Sequence, residues 1–368
     1  MDLKKIEQNI CKSGFKLEHE VATILRREGW TLISNRYYLD DHEESVREID
    51  ILAYKCKITP SFSIYTAIII SCKKSEANDW ALLSRNIDTD DPNSDWQPFK
   101  GFSSVKSIQY YLDQPQWAEH YYRRLIQKCP SIFSIPGVDI FAFQEMSKGS
   151  STCQNDKNIF NSITSLMKAQ AYELNSLITR SKNHAVVHQF NLISLIDSNL
   201  IRIHFHENKI TATNIDSEDY VSKYILNKKD SISRIKFLTA KNFEESIKPY
   251  STLHSENVIF FEELNSSFYK DILQARERAK LLLPEFRLAI KKYLWSPYYA
   301  LTKETLKPEN FDVGWSKVTG EAVIEIDTST ETISALNDDD TSIKCAKKIL
   351  LEVYKYNGDV FFEDSLIF

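Results

Sequence analysis

The chain has 368 residues, of which 42% are hydrophobic and 12% aromatic, with 8 glycines and a formal net charge of −5. That balance describes an ordered globular protein larger than the usual single domain, without long flexible linkers. No stretch approaches the roughly 18 consecutive apolar residues of a spanning helix; with the polar opening MDLKKIEQNICKSG, neither a membrane span nor a secretory signal is expected.

In chain order, SGFKLEHEVATILRREGW has the apolar spacing of a helix and carries Glu18. Glu20 lies on it too, but two residues along a helix turn it about 200° away. The run REIDILAYK alternates as a strand, with Ile49 and Ile51 on one face and Glu48, Asp50 and Leu52 on the other. The next strand, YTAIIISCKKS, is apolar until Ser71-Cys72-Lys73, where period 2 sets Ser71 and Lys73 on one face. Two neighbouring strands would then present Asp50, Ser71 and Lys73 together.

Residues 79–100, rich in Asp, Asn, Ser and Pro, read as a loop. Residues 104–128 have helical spacing, IPGVDIFAFQEM reads as a strand, and a helix from Asn158 to Ser181 carries Lys168 and Gln170. His184 to Ile225 alternates as strands. His184, His188, His204 and His206 within it are read as packing or surface residues, because no Cys or carboxylate stands near them at ligand spacing. A strand SRIKFLT, a helix NFEESIKPYS and a short strand NVIFFEE follow. A long amphipathic helix is expected from Ser267 to Leu283, kinked at Pro284, then a strand in VTGEAVIEIDT and a terminal helix from Ser342 to Tyr356.

The six cysteines form no C-x-x-C pair and read as reduced thiols of a cytoplasmic protein. The negative net charge neither supports nor excludes nucleic acid, since local clusters decide phosphate binding. Of the basic pairs, only Lys73-Lys74 adjoins the candidate acids.

The order Glu18, Asp50, x-x-Lys73 resembles the PD-(D/E)XK, or restriction-endonuclease-like, nuclease superfamily. G-F-x-x-E before an apolar helix ending in Gly29-Trp30, and CKKS followed by Trp80, are similar to many bacterial members. The resemblance departs at Ser71, where the pattern has Glu or Asp. It implies a three-layer α/β fold with a central mixed sheet, extended by further strands and a smaller α+β C-terminal segment. The nuclease-like domain is expected over residues 1–264, with its core at 13–181, and a segment of unknown role at 265–368.

The implied activity is a Mg²⁺-dependent endonuclease, with Mn²⁺ as substitute, that cuts DNA to 5′-phosphate and 3′-hydroxyl ends in restriction, anti-phage defence or repair; RNA stays open as substrate. Asp50, Glu18 and the Cys72 carbonyl would hold the metal, and Lys73 would align the water. Ser71 is a weaker ligand than a carboxylate, and Glu48 or Glu18 would make good the loss. Lys74, Lys168 and Gln170 are the candidate nucleic-acid contacts. Cutting both strands needs two sites, which implies a homodimer. The C-terminal segment is open to three readings: a DNA-contacting arm, a dimerisation element, or a dock for a separate ATPase or sensor subunit. Against the enzyme stands a degenerate nuclease fold that binds nucleic acid or a partner without cutting.

Overall fold

Apolar spacing sets the first two helices apart. In the computed structural model α1 (Leu3–Cys11) buries no residue, whereas α2 (Gly14–Arg27) buries Leu17, Val21 and Leu25 at successive four-residue steps. Gly29, at φ 76°, ends α2 in a left-handed turn that suits glycine. The structure describes all residues except 1, 34–35, 41–44, 92–93, 227 and 366–368. It falls into two units, Met1–Val105 with Gln109–Phe261, and Lys106–Ile108 with Glu262–Phe368. The division lies three residues before the expected 264/265 boundary.

In the first unit, α2 is followed by β1 (Thr31–Ile33), β2 (Arg36–Asp40), β3 (Ser45–Ile49), β4 (Ile51–Ile58), β5 (Ser63–Lys74), β6 (Asn78–Arg85) and β7 (Gly101–Ser103). Then come α3 (Lys106–Leu112), which straddles the division, α4 (Trp117–Leu125), α5 (Pro130–Phe133), β8 (Asp139–Ser147) and α6 (Lys157–Arg180). The unit closes with β9 (Val186–Asp197), β10 (Leu200–His206), β11 (Lys209–Ile215), β12 (Ser217–Leu226), β13 (Lys229–Thr239) and most of α7 (Phe243–Tyr269).

The main sheet is mixed and seven-stranded, in the order β1-β4-β5-β9-β13-β12 with β7 also on β9. β5 is antiparallel to β4 and runs parallel to β9 along its whole length, from Ser63 opposite Val186 to Lys74 opposite Asp197. Ala67 and Ile69 on one face of β5 join a core with Ile163, Leu166 and Met167 of α6. Ile64, Ile68 and Ile70 are as deeply buried on the opposite face, where Thr66 accepts a hydrogen bond from Asn257 of α7. Helices therefore cover both faces. A four-stranded sheet, β11-β10-β6-β8, and a ribbon of β2 and β3 complete the unit.

Several expectations change. Residues 79–100 are not all loop: β6 buries Trp80, Ala81 and Leu82 completely, pairing with β8 and β10. NVIFFEE is not a strand but the middle of the 27-residue α7, where Phe260 and Phe261 pack on Trp117 and Tyr121 of α4. The expected strand over residues 47–55 breaks at Asp50 into β3 and β4, and Leu52 is buried rather than sharing an open face with Asp50.

In the second unit α7 ends at Tyr269, followed by α8 (Arg276–Leu281), α9 (Leu283–Tyr293) and α10 (Trp295–Thr302). The single helix expected over 267–283 is thus replaced by the end of α7 and the separate α8, and Pro284 opens α9 instead of kinking a longer helix. Then come β14 (Phe311–Ser316), β15 (Glu321–Ile326), α11 (Thr330–Asp338), α12 (Asp340–Tyr354) and β16 (Val360–Asp364). β15 pairs antiparallel with β14 and parallel with β16. Phe286, Phe311, Tyr354 and Phe362 form its buried aromatic centre.

Candidate active site

Asp50 stands where the chain leaves one set of strands for another. Ile49 is paired with Arg36 in the β2–β3 ribbon, and Ile51 with Ile70 in the main sheet. Both isoleucines are buried, so they fix the backbone on either side of Asp50. The β4–β5 ladder stops at Ile51–Ile70, while β5 continues along β9 for four more residues. On the β4 side, Cys72 therefore has a backbone N–H with no strand partner, and the Asp50 carboxylate takes that place at 2.8 Å.

The same oxygen, Asp50 Oδ2, accepts from Ser71 Oγ at 3.2 Å and from Lys73 Nζ at 3.3 Å. Three donors on one oxygen leave Oδ1 without a hydrogen bond among the described residues. The Asp50 side chain is 23% exposed, so the carboxylate is partly open to solvent. Ser71 and Lys73, two apart on β5, do reach the same group, as alternation requires.

Glu18 of α2 is coupled to Asp50 and Lys73 through their charges. Burial, followed by the negative charges of Asp50 and Glu48, pushes its carboxyl pKa up, and Lys73 offsets this in part. Glu18, Glu48, Asp50 and Lys73 thus share one field, three carboxylates against one ammonium. Glu20 pairs with Lys16 at 3.5 Å on the exposed side of α2. The Cys72 thiol is pushed well up by burial, then by Asp50 and Glu18, so it stays protonated and acts as packing. Among the described residues no three His, Cys, Asp or Glu side chains form a ready cage for a metal ion. The donor set is nonetheless hard oxygen with surplus negative charge, which suits a small divalent cation better than a soft one.

The three expected nucleic-acid contacts are not grouped at this corner. Lys74 Nζ donates to the carbonyl of Cys11 at 3.1 Å and lies 3.6 Å from Glu76. Lys168 is spent on Asp40, at 3.0 and 2.8 Å from its two oxygens. Gln170 is 3% exposed and accepts from Ser233 Oγ at 2.7 Å. Gln170 therefore cannot serve as a surface contact, and Lys168 is held in an ion pair: α6 is packed on more than one side here, and the two residues point about 200° apart to different partners.

His184 is exposed, and the other three histidines are accounted for by packing and polar contacts. His188 stacks on Tyr65 with centroids 4.3 Å apart, and burial, with Arg180 nearby, lowers its pKa to about 3. His204 lies 3.1 Å from both Ser84 Oγ and Asn86 Oδ1, and His206 lies 3.2 Å from Asn86 Nδ2.

Sequence reasoning missed the Cys72 N–H, which no residue type announces. The unpaired end of a β ladder could have pointed to it, but the pairing is not readable locally. No described helix is long and apolar enough to cross a membrane. Comparison with models of known families, with curated proteins and with solved structures found no match.

Proposed function

We propose that the corner around Asp50 hydrolyses phosphodiester bonds of DNA with the help of Mg²⁺. The carrying observation is the convergence of Ser71, Cys72 and Lys73 on one oxygen of Asp50, with Glu18 and Glu48 in the same field. The succession α2, β1, β4, β5, α6, β9, with β5 antiparallel to β4 and parallel to β9, supports a restriction-endonuclease-like core.

Asp50 Oδ1 and Glu18, with Glu48 beside them, are the groups that would hold Mg²⁺ or Mn²⁺. When bound, the cation supplies polarisation of the scissile phosphate and a water of lowered pKa. The protein's own contribution is positional. Cys72 N and Ser71 Oγ fix the Asp50 carboxylate through Oδ2 and leave its other oxygen free to ligate. Lys73, anchored at the same carboxylate, orients the attacking water and offsets charge that develops on the phosphate. Ser71 orients an acid instead of being one, and Glu18, its pKa raised first by burial and then by the charges of Asp50 and Glu48, takes up the missing ligand role.

A second reading, a module that binds nucleic acid or a partner without cutting, is favoured by the lack of a ready acid cage among the described residues. Incubating supercoiled plasmid with the full chain and Mg²⁺ separates the two. The hydrolase reading expects nicked and linear DNA from the wild type, and at least 10³-fold less from Asp50→Ala. Equal cutting by both proteins would sink it. No cutting by the wild type, with DNA still bound, would select the second reading.

A further inference from the structure

The main sheet forks. β13 pairs with β9 only from Ile235 opposite Leu192 onward, while upstream β9 pairs with β7, Gln189 opposite Gly101. Between these branches lies a cavity of about 40 Å³, whose lining includes Lys100, Gln189, Asp219, Arg234, Lys236 and Tyr250.

The charges there do not balance. Asp219 is the one carboxylate of the lining, and its Oδ2 is shared by Arg234 Nη2 at 2.9 Å and Lys236 Nζ at 3.1 Å. Lys100 Nζ reaches Ser231 Oγ at 3.4 Å, with Asp95 acting on it from outside the lining. Burial lowers the Lys100 pKa, as expected of an ammonium short of compensating charge. Arg234 is the clearer sign. Burial opposes its charge, Asp219 outweighs that, and the Tyr122 hydroxyl lies beside it; yet at 10% exposure its Nε and Nη1 make no hydrogen bond of good geometry among the described residues.

Buried donors without acceptors are costly, and so is buried charge without a counter-ion. Water answers the donors but not the charge. A small oxyanion answers both, through charge-assisted hydrogen bonds. The space decides its size: such a cavity holds roughly three waters, which is the scale of one tetrahedral oxyanion and too little for a nucleoside.

We infer that the fork is a binding site for a free, phosphate-sized oxyanion, gripped by Arg234 and Lys100, with Asp219 holding the guanidinium in place and Lys236 adding positive charge on the same carboxylate oxygen. The inference is independent of the hydrolase reading, because it uses no residue of the Asp50 corner.

Thermal unfolding of the full chain tests it, with sodium phosphate titrated against sodium chloride at matched ionic strength. Phosphate should raise the Tm by about 3 °C along a one-site curve at concentrations near ten times Kd, and chloride should not. Lys100→Gln and Arg234→Lys should each remove most of that rise, and Lys73→Ala should keep it. Adenosine 5′-monophosphate should give no rise. Should Arg234→Lys fail to fold, Lys100→Gln decides alone. No phosphate-specific rise in the wild type means that the cavity holds only water and overturns the inference. So does a rise that Lys100→Gln keeps in full, one that Lys73→Ala abolishes, or an equal rise with the nucleotide.

Discussion

At the Asp50 corner three carboxylates face one ammonium, whereas at the Arg234 fork three cations face one carboxylate. Both places belong to one unit and to one sheet. Buried ion groups elsewhere in that unit show what sets these two apart. Glu173 gives one oxygen to Arg36 Nε and the other to Arg180 Nη2, each at 2.6 Å. Arg202 Nε donates to Glu218 at 2.6 Å. At Glu173 both oxygens are engaged inside the fold, which is how an ion pair behaves when its task is to hold structure. The corner keeps an open carboxylate oxygen, and the fork keeps open N–H groups. Unused bonding capacity, more than charge itself, separates a candidate binding place from a brace.

The comparison can be broken at several points. After Asp50→Ala, the largest effect should come from Lys73→Ala, which removes the single cation of the corner. It should lower kcat for plasmid cleavage by about 10²–10³-fold with a smaller change in KM; an unchanged kcat would return Lys73 to the class of braces. Next is a brace proper. Glu173→Gln should cost about 2 kcal/mol in a denaturant titration, because it leaves two guanidinium groups short of a partner. Cleavage per folded molecule should stay at the wild-type level, and a matching loss of activity would erase the distinction.

A smaller effect is expected from Ser71→Asp, which puts a carboxylate where the resembled pattern has one. Half-saturating Mg²⁺ should fall several-fold in a cleavage titration, while the Tm in EDTA drops from like-charge crowding; a higher Mg²⁺ requirement would show that Ser71 is needed as a donor. The smallest is Glu18→Gln. A folded pKa raised above the unfolded one means that native Glu18 binds its proton more tightly than the unfolded chain does. Its stabilising contribution is full below the unfolded carboxylate pKa and lost as pH rises through the folded value. The amide should therefore raise the metal-free Tm slightly at pH 7 and leave it unchanged below about pH 4. It should also weaken the stabilisation that Mg²⁺ gives; a lower Tm at pH 7 would contradict the strain assigned to this acid.

Local pattern carried much of the fold and most of the corner. The helix expected over 158–181 is α6 at Lys157–Arg180, and the apolar run ending in Ser71-Cys72-Lys73 is β5. The failures share a cause. DWALLSR sits amid Asp, Asn and Pro and was masked by their turn signal, although distant partners in β8 and β10 make it a buried strand. NVIFFEE is short and apolar, so its period cannot tell strand from helix, and the rings of α4 decide. Gln170 and Lys168 stand out locally as candidate nucleic-acid contacts because the partners that bury or bind them, Ser233 and Asp40, lie 63 and 128 residues away. Asp219 and Arg234 went unnoticed for a related reason: a pair on neighbouring strands, off register by two, has no signature in either segment.

The join at Asp50 sets a rule about chain length. Ile49 answers to Arg36 in the ribbon and Ile51 to Ile70 in the sheet, with one residue between them. Adding or deleting a single residue there shifts one pairing against the other and turns every side chain of the ribbon, Glu48 included, to the opposite side. An engineer grafting loops onto this scaffold can vary many residue types nearby, but should treat the spacing between Glu48 and Asp50 as fixed.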